Sequence, residues 1–349
     1  MNYLSWLSKE TQTKWWHDSA IPSEIDEAIE NGAFGVTTNP VLTFKAIQAD
    51  PEYWESRVAE IPPETKDDAR VEALMKIVVV EAAKKFDGVF HATNGEHGYA
   101  FAQTNPALAC SSEGMLKQGL RYVSWRDNIA VKMPTTKAAL PVIEELAARG
   151  VAVCTTLNFS VSQAIAACEA YERGVKRAKI AGHPHRPCFV VQQGGRLDDY
   201  LADVAKDNGF NIAPEDIQNA GNAVCKRTYK IFREKGTSAI IQPAGLRGHH
   251  HLSVMAGARM AFSLQTRVQK IVNDAQLPKV ERIDEPVDEK IINKLMKIDE
   301  FSRAYEPGGL KEEEFIKFGV TQRTLSQFLW TGWVPLETYG YNAASGRWF

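Results

Sequence analysis

The sequence predicts an α/β chain folded as a (β/α)8 barrel, with a long helical insertion between strands 2 and 3 and a C-terminal helical and aromatic extension. Three observations lead there. Eight short β-rich runs recur along the 349 residues, each followed by an amphipathic stretch. Most of these runs are near-continuously apolar and hold their polar residues back to the C-terminal end, as strands covered by helices on both faces do. No GxGxxG follows the first run, and with a count of eight this favours a closed barrel over an open doubly wound sheet.

In chain order the runs are "KWWHDS" (14–19), "FGVTTNP" (34–40), "GYAFAQTN" (98–105) and "NIAVKMPTT" (128–136), followed by "VAVCTTLNF" (151–159), "PCFVVQQ" (187–193), "SAIIQPAG" (238–245) and "RMAFSL" (259–264). Helix signals lie between them. After "MPTT", Leu140, Ile143, Leu146 and Ala147 share one helical face, and Gly150 ends the pattern. Ser160 is placed to cap a helix running through Ile165 and Cys168. Residues 214–235 read as one helix that opens at Pro214 and closes at Lys235–Gly236. A barrel needs about 250 residues. The surplus falls in a helical connection from 41 to 86 and in a tail from 276 onward, so a barrel over 1–275 and an extension over 276–349 are expected.

The balance of 41 Lys and Arg against 43 Asp and Glu argues against a nucleic-acid partner. The first residues lack the apolar core of a signal peptide, and no run approaches membrane-spanning length. Five cysteines without CxxC spacing read mostly as reduced core thiols, which points to a cytoplasmic protein. A homodimer is expected from base rates alone.

In such barrels the reacting groups stand at the C-terminal ends of the strands. Those ends hold Asp18, Thr37-Thr38-Asn39, Gln103-Thr104-Asn105, Lys132, Thr156, Asn158, Gln192-Gln193 and Arg247. Lys132 lies inside an apolar run, where an unpaired ammonium is costly. Taken alone it also fits an ion-paired or snorkelling lysine. Together with a carboxylate and several amides, it has the composition of a carbonyl-chemistry site. A desolvated lysine exposes a neutral amine that attacks a ketone to form a Schiff base, and a carboxylate nearby shuttles protons.

"GVTTNP", "IAVKMPTT" and "TLNFSVSQA", in this order and spacing, resemble the signature runs of the transaldolase family, and "AGLRG" (244–248) resembles its seventh-strand phosphate loop. The resemblance covers roughly residues 12–265. It implies a barrel with the Schiff-base lysine on the fourth strand, where Lys132 falls. It further implies Asp18 as acceptor of the C4 hydroxyl proton, Thr156 as a holder of the catalytic water, and Asn39 as a ligand of the dihydroxyacetone hydroxyls. Arg247 and Arg196 would hold the terminal phosphate. Thr38, in the same "TTNP" run, and Asn158, at the end of the fifth run, are placed with the substrate-binding residues. The implied activity transfers a dihydroxyacetone unit between sugar phosphates with no metal and no cofactor.

Several positions depart from the family pattern. Gln103 stands where transaldolases usually carry Glu, and Gln cannot accept a proton at neutral pH. Gln there resembles the fructose-6-phosphate aldolase branch, which releases free dihydroxyacetone, so an aldolase is the alternative. A catalytically retired barrel used as a binding module is a third reading. Cys154 replaces a common Asn, and Gly245 a common Ser. The run His249–His251 is expected to be a solvated helix start rather than a metal site. The aromatic end (Phe328, Trp330, Trp333, Tyr339, Tyr341, Trp348, Phe349) is expected to pack on the barrel or on a neighbouring subunit, with a role as a lid over the mouth as the other possibility.

Overall fold

The computed structural model describes residues 1–342, 347 and 348. Seven strands and one single-residue bridge occupy the eight expected runs, and all pairings among them are parallel. In chain order they are β1 (Lys14–His17), β2 (the bridge residue Val36), β3 (Ala100–Gln103), β4 (Ile129–Pro134), β5 (Val153–Asn158), β6 (Cys188–Gln192), β7 (Ile240–Pro243) and β8 (Ala261–Leu264). Strands β3 to β7 pair consecutively, and β8 pairs β1. Val36 bridges His17 on one side and Ala100 on the other, while Met260 bridges Ile241, so hydrogen-bonded neighbours run all the way round the ring. This is the (β/α)8 barrel.

The strict alternation of a strand sorts its side chains into two cores. Trp16, Phe101, Ala130, Cys154, Phe189 and Val191 fill the barrel interior, while Trp15, Val131, Met133, Val153 and Val190 face the surrounding helices. Gln103, Lys132, Cys154 and Phe189 are successive register partners and therefore form one inward layer across four strands. Lys132 sits at the upper edge of an aromatic plug, with Nζ 5.9 Å from the Phe101 ring centroid.

The connection between β2 and β3 carries helices Pro40–Ala49, Pro51–Ala59, Asp67–Lys85 and Asp87–Ala92, matching the expected helical insertion. Ser160 caps helix Val161–Ala181 by accepting the Gln163 N–H, as its position predicts. The single helix expected over 214–235 is instead two, Pro214–Ile217 and Ala220–Lys235. The break has a physical cause: the Asp198 carboxylate accepts the Gly221 N–H at 2.7 Å and caps the second helix from outside.

Beyond residue 276 the chain forms helices Glu289–Leu295, Asp299–Tyr305 and Gly319–Phe328, a π-helical turn Leu329–Trp333 and a last helix Val334–Glu337. Backbone pairing of Tyr341–Asn342 with Arg347–Trp348 follows. Trp333 is fully buried, and its Nε1 donates to Asp68 Oδ1 at 2.9 Å. Phe328 is 5% exposed, whereas Trp330 is 65% exposed and does not share in the expected packing. Phe349 lies outside the described residues. Cys154, Cys168, Cys188 and Cys225 are buried free thiols and Cys110 is exposed. Among the described residues no helix is long and apolar enough to cross a membrane.

Candidate active site

The C-terminal ends of the strands surround a narrow pocket of about 160 Å³ with Lys132 and Asp18 in its wall. It is not the largest cavity. A groove of about 960 Å³ lies outside the barrel, between helix Ala220–Lys235 and the 283–307 segment, and contains none of the strand-end residues. Location and chemistry, rather than size, mark the site.

Lys132 is 2% exposed, and among the described residues its ammonium has no hydrogen bond or ion pair. Burial drives its pKa below the ordinary lysine range; the neighbouring Cys154 and Asp18 oppose that shift, and Arg196 adds to it. Burial pushes Asp18 the other way, above the usual carboxylate range, against the pull of Lys132, Arg196 and Lys45. Both shifts favour the uncharged form. An amine shifted in this direction is more readily nucleophilic than an ordinary lysine, and a carboxyl shifted in this direction is suited to proton transfer. Cys154, pushed up to about 12 by burial, stays a thiol.

Asn39 also lines the pocket. Its Oδ1 accepts the Leu42 N–H at 2.9 Å and caps helix Pro40–Ala49, so its amide NH₂ is the group left for a ligand. Arg196 stands between this pocket and an adjoining basin of about 400 Å³ whose wall includes Arg247. The two arginines meet because their loops touch: a Cβ on Gly195 would lie 2.4 Å from the Gly245 carbonyl oxygen and 2.9 Å from Arg247 Cγ. Glycine is required by that approach. Arg247 donates to Asp199 Oδ2 at 2.6 and 3.0 Å and to its own loop at the Gly245 carbonyl.

Four of the expected catalytic and substrate-binding residues, Thr38, Asn158, Gln103 and Thr156, line neither the pocket nor the basin. The Thr38 hydroxyl donates to the Phe101 carbonyl and is spent on the backbone; Thr37, one residue earlier, faces the pocket instead, with Oγ1 2.7 Å from Ser263 Oγ. Asn158 is fully buried, and its Nδ2 bonds the Thr155 and Val191 carbonyls. It closes a register shift in β5 where Leu157 adopts φ +61°, a conformation costly for a branched side chain. The shift turns Asn158 away from the alternation that its spacing implies. Gln103 and Thr156 are 2% and 1% exposed, Gln103 beside Lys132 in register and Thr156 beside Pro134, and Gln103 Oε1 and Thr156 Oγ1 have no protein partner.

Other wall residues were not legible as such. Gln242, at the end of β7, is fully buried with both amide atoms unpartnered, which is the state a ligand hydroxyl relieves. Its signal was a lone amide at the end of the apolar run "AIIQ". Ser263, Gln265 and Lys45 also stand on the barrel's side of the wall, with Gln193 from the expected strand end and the backbone and apolar groups of Val41, Leu42, Val191, Ala244 and Gly245. The remaining side comes from the tail: Gln327, Phe328 and Thr331. Phe328 belongs to the aromatic end for which a lid over the mouth was one of the two expectations, but nothing local in "SQFLWTGW" singles out Gln327 or Thr331.

The expected solvated histidine run also differs. His251 is 1% exposed, its Nε2 lies 2.7 Å from Asp198 Oδ2, and its Nδ1 accepts the Arg247 N–H at 3.3 Å. Burial and the Arg247 charge push its pKa down to about 4, so it orients the arginine loop as a neutral ring.

The comparisons with known proteins agree with this geometry. The family model described as Transaldolase/Fructose-6-phosphate aldolase matches residues 15–318. Transaldolase 1 of Streptomyces avermitilis is 32% identical over 239 residues, 64% of this chain and 61% of that protein. Transaldolase of Thiobacillus denitrificans is 29% identical over 247 residues, 67% of this chain and 68% of its own length. Transaldolase of Mycobacterium marinum is 32% identical over 209 residues, 57% and 55%. The matched part thus spans between 55% and 68% of these curated relatives. A barrel with a buried lysine on its fourth strand, and a family match over 15–318 that spans all eight strands, lead to one conclusion: this chain belongs to the transaldolase/fructose-6-phosphate aldolase family.

Proposed function

We propose that the protein is a Schiff-base transaldolase that moves a dihydroxyacetone unit from a ketose phosphate to an aldose phosphate through Lys132. The observation that carries this reading is Lys132, buried and with its pKa pushed down by that burial, sharing a narrow pocket with Asp18. The neutral amine adds to the C2 carbonyl, and loss of water gives an iminium that serves as an electron sink. The ionised Asp18 takes the C4 hydroxyl proton. The C3–C4 bond then breaks, its electrons pass into the enamine, and an aldose phosphate departs. Addition of the enamine to an acceptor aldehyde and hydrolysis of the new iminium return the lysine. Asn39 and Gln242 are suited to hold the hydroxyls of the three-carbon unit, and Arg196 and Arg247 the terminal phosphate.

The test is borohydride trapping with a ketose phosphate followed by peptide mapping. A reduced adduct on Lys132 is expected; its absence would reject the enzyme and leave a retired barrel.

Gln103 favours a second reading, an aldolase that releases dihydroxyacetone, because an amide beside Lys132 positions water without accepting its proton. The two separate on acceptor dependence. For a transferase, steady turnover of fructose 6-phosphate requires erythrose 4-phosphate; free dihydroxyacetone accumulating without it would identify the aldolase.

The tail wall makes its own prediction. A Cβ on Gly332 would lie 2.7 Å from the Val41 nitrogen, so Gly332→Val is expected to displace the tail from the mouth. We expect kcat/KM to fall by up to about 10²-fold while the adduct on Lys132 still forms. Unchanged kinetics in the folded variant would show that the wall is dispensable.

A further inference from the structure

The basin beside the catalytic pocket carries more positive charge than its own carboxylates balance. Arg196, Arg247 and Arg323 all face it. Arg247 is paired with Asp199, and Arg323 with Asp203 at 2.6 Å. Arg196 is different. Its hydrogen bond goes to the neutral Gln327 Oε1 at 2.5 Å and its guanidinium lies 5.4 Å from the Phe328 ring centroid, and among the described residues it has no carboxylate in ion-pair contact. Burial and the repulsion of Arg247 disfavour its charge, so the empty-handed cation is held at an electrostatic cost that an anion in the basin would relieve.

Arg323 has a separate origin. It stands on helix Gly319–Phe328, beyond residue 318 where the family match ends, as do Gln327, Phe328 and Thr331. The tail thus adds an arginine to the anion basin from a part of the chain outside the family match. Its Asp203 partner is no obstacle: both side chains are more than half exposed, and ion pairs of that kind are weak and exchange readily. A phosphate dianion binds a planar guanidinium through two oxygens as a carboxylate does, but with about twice the charge, and so competes well with an exposed carboxylate.

We propose that Arg323 is a specificity-determining ligand for a dianionic phosphate ester in this basin, exchanging Asp203 for the phosphate and so tying the tail wall to the bound substrate. The proposal rests on the transaldolase reading for the identity of the ester, but not for the anion site itself. An anion held by Arg196 and Arg247 from the barrel and by Arg323 from the tail links substrate charge to tail position. Phosphorylated substrates would then hold the tail closed, and unphosphorylated ones would not.

The experiment uses the full chain with inorganic phosphate as probe, by calorimetry, in the unaltered protein and in Arg323→Gln and Arg323→Lys. Phosphate affinity is expected to fall roughly tenfold or more in Arg323→Gln and less in Arg323→Lys. Phosphate should slow amide exchange across 319–331 in the unaltered chain and not in Arg323→Gln. With the ketose phosphate donor saturating, KM for erythrose 4-phosphate should rise by a similar factor in Arg323→Gln while KM for unphosphorylated glyceraldehyde does not move. Equal phosphate affinity in the unaltered and Arg323→Gln proteins, or equal loss with both aldehydes, would overturn the proposal. Arg323-dependent phosphate binding without a trapped Lys132 adduct would support the anion site and reject the transaldolase reading.

Discussion

Lys132→Met is expected to abolish borohydride trapping and to lower turnover by roughly 10³-fold or more, because no other group in the pocket wall can form the iminium. Lys45, the other lysine of the wall, is exposed rather than held inside the barrel. The same variant should be more stable than the unaltered chain. A lysine whose pKa falls on folding binds fewer protons folded than unfolded between the lowered value and the ordinary one, 10.5. Stability is therefore lost as pH falls through that window, and the full penalty stands below the lowered value. Methionine of similar length removes the penalty while filling the space over Phe101. Calorimetry at neutral pH should show a melting temperature higher by on the order of 1–3 °C. A stable but active Lys132→Met protein would remove Lys132 from the chemistry. An inactive and destabilised one would make it structural.

Asp18→Asn is expected to slow turnover by about 10²–10⁴-fold while the adduct on Lys132 still forms, since the carboxylate is needed to remove a proton and not to attack the carbonyl. The pH dependence should separate the two groups. On the proposed mechanism Asp18 acts as a base only when ionised, and its pKa is raised, so in the unaltered protein cleavage should fall as pH drops through that raised value. In Asp18→Asn this ionisation disappears. The Asp18 charge also supports the protonated form of Lys132, so its removal lowers the lysine pKa further, and the acid limb of adduct formation should move to lower pH. Single-turnover trapping across pH measures the shift. An unmoved limb would mean that Asp18 and Lys132 do not interact, and equal loss of adduct and turnover would make Asp18 a structural support.

Much of the barrel was legible because strand burial on both faces leaves a one-dimensional mark. All eight runs correspond to ring positions, down to β2, where only Val36 makes the bridge. Strand-end residues were legible for the same reason, since a polar side chain closing an apolar run stands at the mouth. Asp18, Asn39 and Lys132 meet in one pocket wall, joined by Arg196, which the family resemblance rather than a strand end had implied. The reading was less complete where the local backbone departs from ideal alternation. Asn158 sits past the Leu157 irregularity and holds a bulge, and Thr38 yields the pocket to Thr37 because its hydroxyl serves the Phe101 carbonyl. The histidine run read as solvated because adjacent residues diverge around a helix, yet Asp198, about 50 residues earlier, draws one of the three rings inside.

What the sequence determined by itself is the barrel and the lysine's place in it. Period, apolar runs and strand order are local properties, and a lysine inside a buried strand has few ways to lose its charge penalty. What only the tertiary structure decided is which side chains share a wall. Gln327, Phe328 and Thr331 lie about 200 residues from Lys132 in the chain and reach its pocket only because Trp333 anchors to Asp68 and Gly332 lets the tail approach Val41. The pairing of Arg196 with Arg247 arises likewise from a close contact of loops at Gly195, and Arg323 joins them from helix Gly319–Phe328, which packs closely on Tyr200 at Gly319. Contacts of that kind follow from how packed surfaces fit in three dimensions, and such fit leaves no periodic trace along the chain.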